Sequence, residues 1–348
     1  MDLSIVVIAR NEEKDIANCL GSVLLAIEEA KKAKIIEAAE VFFVDSASTD
    51  RTIEIAKNYP VRIIELDKDW PLSPGAGIFA GYKVAKGTFF GVVDGDVKVD
   101  KQWFRDALPY LQRDEKVGCV YGWWEEGSRG QGYLHQGVLS TLDTLKTGSA
   151  DEVEFVGNGI FRKSLLDQIG GHNPFLKGSE DKDISFRLRQ AGFKLLQIPV
   201  QFGIHYWDFS YLEYYRSMRG WSMGEGHAAA YAKATGNLQV FKWFSKPYSA
   251  DILFRILRHT ALILAIMIST VCGATWGGLW WWVTLILIIF FITLLLQMKR
   301  RNSSPWRLFL FGYFHRIPYT LYRHWHFHRG LRLPTPDPKN YPVRPEQA

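Results

Sequence analysis

Five acidic positions stand out by residue type and setting. The stretch GVVDGDVKVD, Gly91 to Asp100, ends an apolar run on Asp94 and Asp96 with a single glycine between them. Carboxylates at the end of a buried strand are costly unless something positive, or a set of hydroxyls, meets them. A divalent cation bridging phosphates asks little of the protein beyond one or two carboxylates on such a turn. By itself a DGD is weak, because Asp and Gly also build ordinary turns. Asp45 closes a second apolar run, EVFFVD, and precedes the cap-rich SASTD, where its carboxylate suits a nucleobase imide or a ribose hydroxyl. Farther on, GSEDKD (Gly178 to Asp183) puts Glu180 and Asp181 at the entry to a helical segment. A carboxylate there suits removal of a proton from an acceptor hydroxyl. Each acid alone is what a helix start favours through its dipole. All of them together strain that reading and point to one site.

The elements that would position these residues alternate. Leu3 to Ala9, Glu40 to Val44 and Thr88 to Val93 are short continuous apolar runs, with a weaker one at Val61 to Leu66. Such runs suit strands buried on both faces of a mainly parallel sheet. Helical segments are expected at Glu12 to Ala33 and Thr49 to Asn58, the second entered through Ser48 and Thr49 as caps. This alternation is that of a doubly wound α/β domain, whose ligands sit beyond the carboxyl ends of the strands. Asp45, Asp94 and Asp96 all fall there. Trp123 to Tyr133 reads as a Gly-rich loop, Val156 to Phe161 as a strand, Gly178 to Leu188 as a helix, and Gln201 to Asp208 as a last strand.

Beyond Ile252 the composition changes. Thr260 to Trp276 and Leu279 to Met298 are uncharged and apolar, separated only by Gly277 and Gly278. Each approaches the roughly 20 residues that cross a hydrocarbon core, which predicts a transmembrane helical hairpin. Arg255 and Arg258 before it and Lys299 to Arg301 after it place both ends on the cytoplasmic side by the positive-inside rule. Trp306 to Leu333 mixes aromatics with Arg307, Arg316, Arg323, Arg329 and Arg332, a pattern for a segment in the headgroup region. His324, His326 and His328 alternate with aromatics there and have no acidic partner nearby, so an interfacial reading outweighs a metal cluster. The expected organisation is an α/β domain over 1–250, a two-helix hairpin over 251–299, and a basic aromatic segment and tail over 300–348. The expected location is an integral membrane protein with its catalytic domain and C-terminus in the cytoplasm.

The motifs VVIARNEE, VDSASTDRT, VVDGDV and GSEDKD, in this order and at these separations, resemble the family 2 glycosyltransferases of the GT-A fold. The resemblance covers roughly Leu3 to Gly226. It implies an inverting transferase using a nucleotide-diphosphate sugar and Mg²⁺ or Mn²⁺. It also implies roles: Asp45 for the nucleobase, Asp94 and Asp96 for sugar, nucleotide and metal, and Asp181 as the base with Glu180 beside it. RSMRGWSMG, Arg216 to Gly224, is similar to the QxxRW region of membrane-integrated polysaccharide synthases, with Arg216 where Gln is expected and Gly220 between Arg219 and Trp221. By that similarity Arg219 reaches the diphosphate and Trp221 floors the acceptor site. Ile78-Phe79 stand where many relatives place Arg-Asn, so the donor sugar does not carry over. His205 is an additional candidate metal ligand, although a lone histidine on an apolar strand more often sits satisfied in a core.

The totals set the outer limits. With 348 residues, 47% hydrophobic, 13 Trp and 22 Phe, the chain has material for a large core and for lipid contact. A net charge of +6 suits an anionic partner. The basic residues gather beside the apolar spans rather than along an aromatic-lined groove, which argues against nucleic acid. Three scattered cysteines without CxxC spacing suit a reducing compartment, and MDLSIVVIARNEE lacks the features of a secretory signal. The leading expectation is sugar transfer to a lipid or lipid-linked acceptor at the cytoplasmic membrane face. A processive polysaccharide synthase and a non-catalytic membrane scaffold are the alternatives.

Overall fold

The computed structural model describes residues 1–127, 148–206, 211–246, 250–300 and 320–342. Every residue of β1 (Leu3–Ala9) is buried, because the strand lies mid-sheet with helices over both faces. It pairs in parallel with β2 (Ala39–Asp45) on one side and β4 (Phe89–Asp94) on the other, and β2 pairs with β3 (Arg62–Glu65). The apolar runs at the N-terminal end of the chain thus form the expected parallel half-sheet.

Beyond β4 the sheet changes character. Its order among the described residues is β3-β2-β1-β4-β8-β6-β9-β5, with β5 (Val97–Val99), β6 (Val117–Gly127), β8 (Ile160–Arg162) and β9 (Lys194–Tyr206). β8 runs antiparallel to both β4 and β6, β5 runs antiparallel to β9, and β7 (Asp151–Glu152) is added to β9. The sheet is therefore mixed rather than mainly parallel. WWEEG belongs to β6, paired in parallel with β9, so the Gly-rich loop expected from Trp123 starts no earlier than 128; its remainder, 128–133, lies outside the described residues.

The helices α1 (Ile16–Lys32), α2 (Thr52–Ala56), α3 (Pro74–Val84), α4 (Trp103–Arg113), α5 (Lys163–Ile169) and α6 (Glu180–Gln190) flank this sheet. Their apolar stripes divide the core into two layers. α1 and α4 pack with one face of the sheet around Ile5, Val7 and Phe43, while α3 and α5 cover Val6, Ile8 and Phe42 on the other.

Next come α7 (Tyr211–Ala234), α8 (Leu238–Ser245) and the helical hairpin α9 (Ala250–Trp276) and α10 (Leu279–Arg300). Gly277 and Gly278 reverse the chain at φ of 65° and 56°. The hairpin is present, but its expected role needs correcting. Among the described residues no helix is long and apolar enough to cross a membrane. Inside the hairpin, buried Thr284 donates to Ser269 at 3.0 Å, a polar contact between the two helices. The expectations of a transmembrane hairpin and of an integral membrane location are overturned accordingly.

The last described segment turns back onto the α/β domain. Residues 320–330 form a helix, α11, lying on α7. A Cβ on Gly226 would fall 2.0 Å from the Phe327 carbonyl oxygen, so the helices cross at backbone distance. His324 and His326 are buried at this crossing, both with pKa values lowered chiefly by burial. The chain then runs along α7, where the His227 ring meets the Pro334 carbonyl at 2.8 Å and the Tyr231 hydroxyl donates to Pro336 at 2.8 Å. Near the end of the described segment Tyr341 is buried against Trp70, Phe79 and Phe175, its hydroxyl donating to the Pro71 carbonyl.

Candidate active site

Three βα turns converge at the carboxyl ends of β1, β2 and β4. Register places Asp45 level with Ala9, and Asp94 level with Ile8, so the two aspartates flank β1. The first two turns are stapled together. Asn11 N–H donates to the Ser48 hydroxyl, Thr49 N–H to Asn11 Oδ1 and Glu12 N–H to the Thr52 hydroxyl, at 2.8–2.9 Å. Asn11, Ala47 and Ser179 each adopt positive φ near 60°, one in each of the motifs RNEE, DSASTD and GSED. Left-handed non-glycine residues cost about 1 kcal/mol or more and gather where geometry is imposed for a purpose.

Asp45 is fully buried. One of its oxygens accepts from Ser48 N–H at 2.8 Å, and Oδ1 is buried with no hydrogen-bond partner among the described residues. Asp94 accepts from the Asn158 amide at 2.6 Å; burial, then the charge of Asp96, raises its pKa. Asp96 Oδ2 lies 3.2 Å from His205 Nε2, a contact created because β5 pairs antiparallel with β9 and sets Val97 opposite His205. The other Asp96 oxygen is buried and unpartnered. Glu12 joins this group: burial and the charges of Asp96, Asp94 and Asp50 push it up to about 7.

The second half of the site comes from α6. Glu180 and Asp181 open that helix, preceded by Ser179 at φ 59°. Burial, then the adjacent Asp181 charge, pushes Glu180 up to about 8, and its Oε2 is buried without a partner. Asp181 is also raised by burial, but Lys182 opposes that through its charge and through its N–H, which donates to Asp181 Oδ1 at 2.8 Å. At neutral pH Glu180 therefore keeps its proton, as close carboxylates favour for one of the two.

A cavity of about 690 Å³ joins the two halves. Asp94 and His205 line one side, Glu180, Asp181 and Trp221 the other. Phe155 and Trp221 present exposed rings to it, 46% and 38% accessible. Asp45 and Asp96 stand outside its walls, Asp45 on the turns stapled after β1 and β2, and Asp96 in contact with the lining residue His205. Arg219 is exposed on α7 and is not part of the wall; its charge is felt instead by His326 on α11. Among the described residues no group of three or more His, Cys, Asp or Glu is placed to hold a metal. Asp96 with His205 offers two ligands.

Several wall residues carry no sequence signal of their own. Asn158 owes its place to β8 crossing antiparallel beside β4. His172 is neutral, with burial lowering it to about 3, and stands edge-on to Phe161. Lys182, Glu225 and Arg323 come from three separate helices and meet at the cavity. Glu12 lies within the RNEE stretch, and its neighbourhood of acids appears only once β1 and β4 are set side by side.

With this geometry in view, residues 4–170 match the family model Glycosyl transferase family 2. The matched segment, just under half of the chain, is similar to a glycosyltransferase domain. No curated protein matches the chain. Solved structures that align include S. aureus TarS 1-349, at 20% identity and TM-score 0.46 over 65% of each chain. The same protein in complex with UDP-GlcNAc aligns at 19% identity and TM-score 0.47, over 65% of this chain and 66% of that one. GalNAc-T7 with UDP, GalNAc and Mn²⁺ aligns at 15% and 0.46, over 64% of this chain and 45% of that one. The chain thus spans less than two thirds of the length of those structures.

Proposed function

We propose that this glycosyltransferase takes a sugar from a nucleotide-diphosphate donor and passes it, with inversion, to a hydroxyl of a lipid or lipid-linked acceptor. The observation that supports it most is the cavity, with Asp181 beside a protonated Glu180 on one wall and Asp94 with His205 on the other. In this reading Asp45 accepts from the nucleobase or ribose, using the oxygen left without a partner inside the protein. Asp94, fixed by Asn158, accepts from the donor sugar. Asp181 takes the proton from the acceptor hydroxyl as its oxygen bonds to the anomeric carbon. The bond from that carbon to the diphosphate breaks, and the departing oxygen keeps the electron pair. Glu180, protonated beside Asp181, holds its own proton and keeps the pair at one charge. Trp221 and Phe155 offer faces on which an acceptor can stack.

A divalent cation fits the residues present. Mg²⁺ or Mn²⁺ takes one or two protein ligands and completes its shell with phosphate and water. Asp96, with one oxygen buried and unsatisfied, and His205 would hold it, and the ion would supply charge stabilisation for the leaving diphosphate. The amphiphilic acceptor is supported by the apolar side chains that the hairpin leaves exposed, among them Met267, Ile268, Val271, Trp282 and Ile286. Contact with a lipid would remove such a surface from water.

The test is to incubate the full-length protein and Mn²⁺ with labelled UDP- and GDP-hexoses and a lipid extract, then partition the products. Label in the organic phase, lost in Asp181→Asn and on chelation, is the expected result. Label in a large water-soluble polymer would replace the lipid acceptor with a growing polysaccharide. Transfer that survives chelation would remove the metal from the reading, and no transfer from any donor would favour a scaffold.

A further inference from the structure

Glu225 on α7 is 3% exposed, yet it carries a charge to the cavity wall. A buried carboxylate persists only where cations and hydrogen bonds compensate it. Here the compensation comes from both sides. Lys182 Nζ, on α6, lies 2.5 Å from Oε1, and Arg323 Nη2, on α11, lies 2.8 Å from Oε2. Arg323 is fixed further by donating from Nε to the Ser222 hydroxyl at 3.0 Å, one turn earlier on α7. Lys182 follows Asp181 directly in the chain and holds it through its backbone N–H. The result is a continuous relay from the C-terminal helix, across α7, to the turn that carries Asp181.

Close backbone contacts accompany that relay. A Cβ on Gly224 would fall 2.3 Å from the Gly178 carbonyl oxygen, and one on Gly330 would fall 2.1 Å from the Met223 carbonyl oxygen. α7 is thus pressed against the GSED turn on one side and against α11 on the other, with Glu225 between the two contacts.

We propose that Glu225 is a positioning residue for Asp181, acting through Lys182, and that Arg323 locks it, so that the C-terminal helix is a working part of the transfer site. The inference rests on the reading of Asp181 as the base. A lysine has a flexible four-carbon stem and a compact charge. Released from Glu225, the Lys182 ammonium is one residue from Asp181 and free to pair with the carboxylate that must accept the proton. Anchored, it points away while its N–H keeps the Asp181 side chain oriented. Arg323 suits the outer clamp because its fork bonds Ser222 and Glu225 together.

The experiment uses the full-length protein with whichever UDP- or GDP-hexose is turned over. Steady-state kinetics and melting temperatures are measured for Glu225→Gln, Glu225→Asp, Lys182→Met, Arg323→Met and the double variant Glu225→Gln/Arg323→Met. Glu225→Gln is expected to lower kcat on the order of ten- to a hundred-fold, as for a misplaced catalytic group, with donor KM within about twofold. Glu225→Asp should recover part of the loss. Arg323→Met should lower kcat less, and add nothing once Glu225 is already Gln, as coupled residues do. Hydrogen exchange in the peptide spanning 178–186 should quicken in Glu225→Gln and in Arg323→Met.

An unchanged kcat in folded Glu225→Gln, a change confined to KM, or strictly additive losses would each overturn the proposal. If Glu225→Gln does not fold, Arg323→Met decides, since Lys182 still compensates the Glu225 carboxylate there; normal kcat in that variant overturns the proposal. Asp181→Asn separates the two levels. Normal turnover in that variant would refute the base itself, whereas an inactive Asp181→Asn beside a normal Glu225→Gln would refute positioning alone.

Discussion

Asp181 and Glu180 differ by one methylene and one position, but the site treats them differently. The Lys182 charge and N–H lower Asp181 against the effect of burial, whereas Glu180 is buried with an oxygen that has no partner among the described residues and is pushed up to about 8. Asp181→Asn is expected to lower transfer by at least about 100-fold, the lower end of what a general base contributes, with the melting temperature nearly unchanged. Glu180→Gln should behave differently. The folded state keeps that proton up to about pH 8, whereas an ordinary glutamate releases it near 4.5. Between those values the folded protein binds more protons than the unfolded chain, so stability falls as pH rises. Glu180→Gln removes this loss. Its melting temperature should exceed that of the parent at pH 8 and approach it near pH 4.5, as calorimetry across that range would show.

At the scale of elements, the contact between α7 and α11 depends on glycine at Gly226 and Gly330. A Cβ at Gly226 would overlap the Phe327 carbonyl, and a backbone neighbour does not swing aside as a side-chain tip does. Gly226→Ala is expected to cost about 1–3 kcal/mol, as overpacking does, and to lower the denaturant midpoint. It should also lower kcat, because α11 carries Arg323. By contrast Gly236→Ala, where nothing lies within 4 Å, tests backbone strain alone at φ 71° and should leave turnover untouched. The α3 segment explains a departure noticed in the sequence. Ile78 lines the cavity and Phe79 packs against Tyr341, so positions 78 and 79, where the resemblance led to an expectation of Arg-Asn, carry buried apolar side chains.

For the whole molecule, the described C-terminal segment closes the fold. Tyr341 lies 270 residues from Pro71, to whose carbonyl it donates at 3.0 Å, and its ring packs edge-on against three aromatics. Tyr341→Ala should cost about 3–5 kcal/mol, comparable to other buried aromatic truncations, and Tyr341→Phe about 1 kcal/mol for the hydrogen bond. Urea unfolding measures both. If the segment only trailed over the surface, neither substitution would register. The same segment shows why the HWHFH stretch reads ambiguously: alternation of histidine with aromatics suits an interface with lipid, but burial against α7 uses the same chemistry.

The sequence by itself determined the parallel half-sheet and the acids at its carboxyl edge. Runs such as LSIVVIA have nowhere to lie but mid-sheet, and a strand that ends in Asp places that carboxylate at a loop by simple geometry. It also specified Glu180 and Asp181 at a helix entrance. Only the tertiary structure decided what surrounds them. Antiparallel β8 and β5 bring Asn158 to Asp94 and His205 to Asp96, pairings between residues 64 and 109 positions apart that leave no local pattern. The Glu225 clamp joins α6, α7 and α11 in the same non-local way. The apolar runs after Ile252 were likewise settled by the folded segment: among the described residues no helix is long and apolar enough to cross a membrane, and the two helices meet through Thr284 and Ser269.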